Sequence, residues 1–289
     1  MQRIFIFLIV SITVIIFIML FIHSRPLKKE FLSDLKTEFS TQPLLEEEIL
    51  AESRITRLPA PVQRYLRYTG AIGKPVPRNF YIEFDAEMFR NPGDKPMKAV
   101  SRQYNFIGNP ARIFFMEAEM LFIPFHAFHS YKNQNASFIV RVASLFNAVN
   151  LSGEDLTAAE TVTLLNDICL FAPAMLIDRR FTWEEIDRLS SRVTFTNGSY
   201  KVSAVLYFNE KSELVNFVSD DRSALQNDGK LRKARWSTPV SEYREFEGRR
   251  ILTYGEAIWN YPEGDFTYGK FTLKNISYNV KGPQNGDSR

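Results

Sequence analysis

Two of the chain's three histidines, His126 and His129, lie in the stretch FIPFHAFHSY at Phe122–Tyr131, and their H-x-x-H spacing raises the question of a metal site. On a helix the two rings share a face. On a strand, residues three apart point to opposite faces, so one ion cannot take both. Pro124 and the density of Phe favour an extended or irregular form. Glu117 and Glu119 would add carboxylates from one strand face, but no HExxH or three-histidine pattern occurs. The expectation is a pair of half-buried histidines, with no metal and no cofactor.

A second concentration of titratable groups is RRFTWEEIDRL at 179–189. Thr182-Trp-Glu-Glu185 has the form of a capping box, which predicts a helix near 183–190 with Glu184 and Glu185 in its first turn. Trp183 and Asp187 then stand four apart on one helical face, where they can line one edge of a cleft. No G-x-S-x-G elbow, G-x-G-x-x-G loop or Walker pattern is present, so no residue is assigned a catalytic role. Cys169, the single cysteine, excludes an internal disulfide and reads as a buried thiol in the apolar run ICLF.

Composition sets the class. Lys and Arg number 36 against 33 Asp and Glu, for a net charge of +3 with both signs interspersed. No basic stripe exists of the kind nucleic acid requires. The nineteen uncharged residues Ile4–Ile22 are long enough for a transmembrane helix, and the exit His23-Ser24-Arg25-Pro26 lacks a small-x-small cleavage site. A single-pass cell-membrane protein is expected, anchored by residues 1–25. Arg25, Lys28, Lys29 and Lys36 favour a cytoplasmic C-terminal side, whereas a large following domain favours an extracytoplasmic one, and the latter is the expectation adopted.

Residues 26–57 read as a juxtamembrane helical spacer with one apolar side, broken near Gln42-Pro43. Pro59 and Pro61 open a short helix over 60–69 that Gly70 stops. From Asn79 the period becomes two: NFYIEFDAEMF alternates apolar and polar residues. Similar strands fit 97–107, 111–120 and 136–143, and 121–131 is ambiguous. Thr157-Ala-Ala-Glu160 is a second capping box, predicting a helix that ends at Ala172-Pro173. Strands resume as 192–197, 199–209, 213–220, 231–246, 249–260 and 265–280. The prediction is one α+β domain over 58–280, with about eleven strands in a large, curved, half-barrel-like antiparallel sheet, a helical insertion, and a disordered tail at 281–289.

The motifs LPAPVQRYLR at 58–67, TWEEID at 182–187, Arg222, Arg235-Trp236, YREFEGRRI at 243–251 and EAIWNYPEGDFTYGKF at 256–271 resemble an uncharacterised bacterial membrane-anchored family, a domain of unknown function. The likeness covers roughly 58–280. Around 160–176 the Pro-Ala-x-Leu end of the family's helix is present while its middle is more apolar. At the level of fold, the order of strands, helices and strands is similar to the half-barrels of lipoprotein-carrier proteins. That likeness implies binding of an apolar ligand, and the function expected is a membrane-tethered, non-enzymatic domain that binds a lipid or other apolar ligand.

Aromatic residues are abundant: 25 Phe, 12 Tyr and three Trp. They can fill the interior or wall a cavity, and the sequence allows both. If a ligand site exists, it is expected where the 183–190 helix meets the last strands. Trp183, Trp236 and Trp259 would form its walls, with Asp187, Arg222 and Arg249 as polar guides. The same residues can instead brace the fold. A partner-binding scaffold and a membrane-anchored hydrolase are the alternative functions, and no protein partner is indicated.

Overall fold

The structure is a computed structural model that describes residues 26–44, 46–120, 123–226, 228–284 and 287. Among the described residues three helices precede the sheet: α1 (Leu27–Thr41), α2 (Glu52–Ile55) and α3 (Ala60–Tyr68). Six strands follow as a meander: β1 (Asn79–Met88), β2 (Met97–Phe106), β3 (Ala111–Met120), β4 (Ile123–Lys132), β5 (Asn135–Val142) and β6 (Phe146–Ser152). Helix α4 (Glu154–Phe171) and a 3-10 turn (Pro173–Ile177) lead to β7 (Phe181–Asp187), β8 (Ser190–Asn197), β9 (Tyr200–Phe208) and β10 (Leu214–Ser219). A small hairpin, β11 (Ser223–Leu225) and β12 (Leu231–Lys233), precedes the long strands β13 (Arg235–Phe246), β14 (Arg249–Tyr261) and β15 (Gly264–Tyr278).

Thirteen strands form one sheet in the order β6-β5-β4-β3-β2-β1-β15-β14-β13-β10-β9-β8-β7, and β11 pairs with β12 apart from it. The chain thus starts in the middle of the sheet and steps out to one edge. It crosses by α4 to the other edge and steps back until β15 pairs with β1, placing Phe80 opposite Tyr278 and Met88 opposite Gly269. Antiparallel pairing throughout gives each strand two distinct faces.

On β1, Phe80, Ile82 and Phe84 join the large core beneath α4, whereas Tyr81 points the other way. That opposite face receives α1. Leu27, Phe31 and Leu35, spaced by four, make one helical stripe that is fully buried against Tyr104, Ile113, Phe115 and Phe128. Phe31 stacks on Phe115 at 5.1 Å between ring centroids and meets Phe128 edge-on at 6.1 Å. On the α4 side, α3 closes one end of the core, with the Tyr65 hydroxyl donating to the Cys169 carbonyl at 3.0 Å.

Helix α4 differs from an ordinary surface helix: from Leu156 to Phe171 only Ala158 escapes burial. It starts after Gly153, whose φ of 106° suits glycine. It ends before Pro173, as expected. Thr157 does not cap it; its hydroxyl donates to the Gly153 carbonyl and accepts from the Ala136 amide, tying the first turn to β5.

Several expectations are corrected. The sheet has thirteen strands where about eleven were expected. The ambiguous 121–131 stretch contributes β4, β6 was not anticipated, and 231–246 divides into β12 and β13. The predicted helix over 183–190 is strand β7 and the turn after it. There Phe181 stacks on Phe195 of β8 at 4.9 Å, and Thr182, Glu184 and Glu185 supply the polar, charged character of an edge strand. One antiparallel sheet of thirteen strands with few helices replaces the expected α+β description, and among the described residues no helix is long and apolar enough to cross a membrane. The span expected at 4–22 lies outside the described residues.

Phe31 is the central contact of α1 with the sheet. Phe31→Ala is expected to lower stability by about 3–5 kcal/mol, read from the urea unfolding midpoint. A loss below 1 kcal/mol, roughly that of an exposed position, would show that α1 is not part of the cooperative core.

Candidate functional site: a charged cavity under the crossing helix

Between α4 and the inner sheet face lies a cavity of about 470 Å³. Strands contribute by alternation. Phe84 of β1, Phe114 and Met116 of β3, Phe138 and Val140 of β5, and Phe271 of β15 present apolar side chains. Leu156, Ala159 and Leu170 line it from α4, and Leu225 and Leu231 from the β11–β12 hairpin.

A buried ionic cluster crosses this apolar space. Arg112 of β3 donates from Nε to Asp167 at 2.7 Å, from Nη1 to Glu160 at 3.2 Å and from Nη2 to the Gln103 side-chain oxygen at 2.9 Å. Glu160 and Asp167 both belong to α4, seven residues and so two turns apart on one face. The fork of one arginine therefore spans two turns of helix. Asn166, the residue before Asp167, donates to the Thr238 hydroxyl of β13 at 2.7 Å and ties the helix to the second half of the sheet.

Burial pushes the Glu160 carboxyl up, but His129, Arg112 and Arg222 around it outweigh burial and hold it at about 2. Burial also pushes the His129 ring below its ordinary value. With that ring neutral near pH 7, the lasting counter-charges of Glu160 are the two arginines. His129 Nδ1 sits 3.3 Å from Glu160 Oε1, and its ring stacks on Phe138 at 3.8 Å. His126 points to the other face, where it stacks on Phe115. The strand geometry separates the two rings as expected for the extended form. Among the described residues no group of three or more His, Cys, Asp or Glu could hold a metal ion.

The second arginine of the cavity is Arg222, between β10 and β11. Its guanidinium lies 4.1 Å over the Trp236 ring and 5.3 Å from Trp259. Nη1 donates to the Tyr268 hydroxyl at 2.7 Å, which also accepts from Trp236 Nε1 at 3.1 Å. Nη2 stands 3.9 Å from Glu160, and Nε is buried with no hydrogen-bond partner among the described residues.

Three residues singled out from sequence, Arg222, Trp236 and Trp259, thus meet at one wall of the cavity. The other three lie elsewhere. Trp183 packs against the main core from edge strand β7. Asp187 is exposed, and its Oδ1 accepts from the Leu189 amide at 2.8 Å to close the β7–β8 turn. Arg249 donates to the Pro75 carbonyl at 2.9 Å and lies over Tyr278 at 4.7 Å, joining β14 to the segment after α3. Sequence reasoning missed Arg112, Glu160 and Asp167. Their signal was three polar residues inside otherwise apolar-facing patterns, ARIFF and TAAETVTLLNDICLF.

A family model described as "Family of unknown function (DUF6544)" matches residues 48–271, more than half of the chain. The chain belongs to this family. The match takes in β1 to β14, α4 and every cavity-lining residue named above. No curated protein matches the family member in sequence. Among solved structures it is similar to a DUF1329 family protein from Desulfovibrio piger, at 12% identity and a TM-score of 0.43, covering 76% of this chain and 92% of the other. It is also similar to a putative outer membrane lipoprotein-sorting protein domain from Vibrio parahaemolyticus (7% identity, TM-score 0.38, coverage 72% and 88%). A LolA superfamily protein from Nitrosomonas europaea gives 12% identity and a TM-score of 0.39, with coverage of 76% and 94%.

Two outcomes test the cluster. Arg112→Met removes the buried cation that Glu160 and Asp167 share and is expected to cost about 3–5 kcal/mol in chemical denaturation. For pH, the sign follows from His129, whose folded value is depressed. As pH falls below about 6.5, the unfolded chain takes up a proton that the folded chain refuses, so stability falls on acidification. In His129→Gln the slope of stability between about pH 7 and 5.5 is expected to flatten, by up to about 1 kcal/mol per pH unit. An unchanged slope would show that His129 titrates freely in the folded state.

Proposed function

We propose that this chain is a non-enzymatic binding protein that holds a lipid or another apolar ligand between α4 and the inner sheet face. The observation that carries the reading is the cavity of about 470 Å³ with its Phe, Met, Leu and Val walls. Small-molecule sites occupy about 300–1,000 Å³ and combine mostly apolar walls with a few fixed polar groups, which is the composition here. An interior meant only as a scaffold would be packed to the density of an organic crystal, without a void of this size. For hydrolysis, His129 beside Glu160 would need a nucleophile, and among the described residues no hydroxyl or thiol hydrogen-bonds to His129.

In this reading Arg222, Trp236 and Trp259 contact the ligand directly. Asp187 and Arg249 act on the fold, through the β7–β8 turn and the β14 anchor, and Trp183 acts through packing at the β7 edge. Helix α4 covers the ligand and is held by Arg112, so entry is along the cavity instead of by release of the helix.

The full chain, purified under mild conditions from a bacterial host, is expected to carry an apolar small-molecule adduct in native mass spectrometry. Ala159→Phe, which places a ring in the cavity from α4, is expected to abolish the adduct while the thermal midpoint stays within a few degrees, about the effect of 1 kcal/mol. Wild type that carries no adduct and takes up no fluorescent fatty-acid probe would overturn the assignment.

A further inference from the structure

We infer that the ligand is a long-chain carboxylate, whose anionic head docks on the Nε–Nη2 edge of the Arg222 guanidinium while its chain fills the apolar part of the cavity; this rests on the reading of the cavity as a lipid site. The inference comes from which N–H groups of Arg222 are used. A guanidinium offers five donors in a rigid plane, and two parallel N–H groups along one side match the two oxygens of a carboxylate. In this chain Nη1 is occupied by Tyr268. Nε, buried, has no partner among the described residues, and Nη2 reaches only 3.9 Å toward Glu160, beyond a hydrogen bond. The Nε and Nη2 groups together form the side-on pair that recognises a planar anion.

The rest of the wall holds that fork in place. Trp236 and Trp259 supply faces against which the guanidinium rests, and Tyr268 is fixed in turn by Trp236. The side chain is therefore positioned before any ligand arrives, so little conformational entropy is lost on binding. A buried cation with unmet donors bears a desolvation cost that an anionic headgroup would offset. Glu160, the nearest anion, accepts from Arg112 at 3.2 Å and faces Arg222 as a counter-charge at 3.9 Å, without a hydrogen bond to it. Leu225, Leu231 and Phe271 line the same cavity and offer apolar surface suited to methylenes.

The test compares one chain with two heads. Palmitate and methyl palmitate are titrated into the delipidated full chain at about pH 8, where the acid is ionised, with displacement of a fluorescent probe as the readout. Wild type is expected to bind palmitate about tenfold or more tighter than the ester, the contribution of a charge-assisted bidentate pair. Arg222→Gln is expected to bring the two affinities together, and because each ratio is taken within one protein, a partial loss of folding does not mimic this. Arg222→Lys, which keeps the charge without the fork, is expected to fall between them. Equal affinity of wild type for acid and ester would overturn the carboxylate inference and leave lipid binding standing. Binding of neither would overturn the lipid site itself.

Discussion

Arg112 is the interaction on which the rest of this structure depends. A helix buried on nearly every side has no solvent-facing stripe to fix its rotation, and apolar contacts alone leave its register weakly specified. Here one guanidinium takes Asp167 and Glu160 from α4 and Gln103 from the neighbouring strand. Ions removed from water are costly unless paired with good geometry, so rotating or sliding the helix would strand both carboxylates. The pairing fixes α4 against the inner sheet face, and the cavity of about 470 Å³ lies between the two.

The path of the chain makes that arrangement possible. Because β1 starts at the centre of the sheet and β6 ends at an edge, the connection to β7 must traverse the full width of the inner face. A segment on that route is enclosed, and its backbone groups must be satisfied internally, which a helix does by itself. The closing pair β1 and β15 joins residues about two hundred positions apart along the chain, as in the Asn79 side-chain bond to the Val280 carbonyl at a separation of 201. The two halves of the sheet are thus joined at its centre. Asn166 on Thr238 and Arg112 on Asp167 then attach α4 to both halves.

The two capping-box signals show how a local pattern is overridden. Thr182-x-x-Glu185 does satisfy a helix N-terminus, but not its own: Glu185 accepts from the amide of Ala60 at 2.9 Å, the first residue of α3. Its own segment pairs with β8, where Phe181 stacks on Phe195, and this strand pairing overrides the local capping pattern. In the other motif, Thr157 secures the first turn of α4, and Glu160 turns inward to Arg112, 48 residues away in sequence. An acidic side chain three positions after a threonine carries no mark to tell a helix cap from a buried counter-ion.

By itself the sequence determined the elements whose faces differ in polarity. Alternation over Asn79–Met88 and the later strands, the stripe Leu27, Phe31 and Leu35, and the Pro59 start of α3 are all written in neighbours one to four residues apart, because strand and helix geometry convert such spacing directly into faces. Family-specific motifs placed Arg222, Trp236 and Trp259 among the residues of interest, and the fold brings these three to one wall. Only the tertiary structure decided that Trp183, Asp187 and Arg249 stand away from it, that β7 is a strand, and that His129, Arg112, Glu160 and Asp167 meet. Those four come from β4, β3 and α4, and what unites them is the need of buried charges for partners after water has been removed. That requirement acts between segments already brought together by the sheet, so it leaves no period and no spacing in the chain.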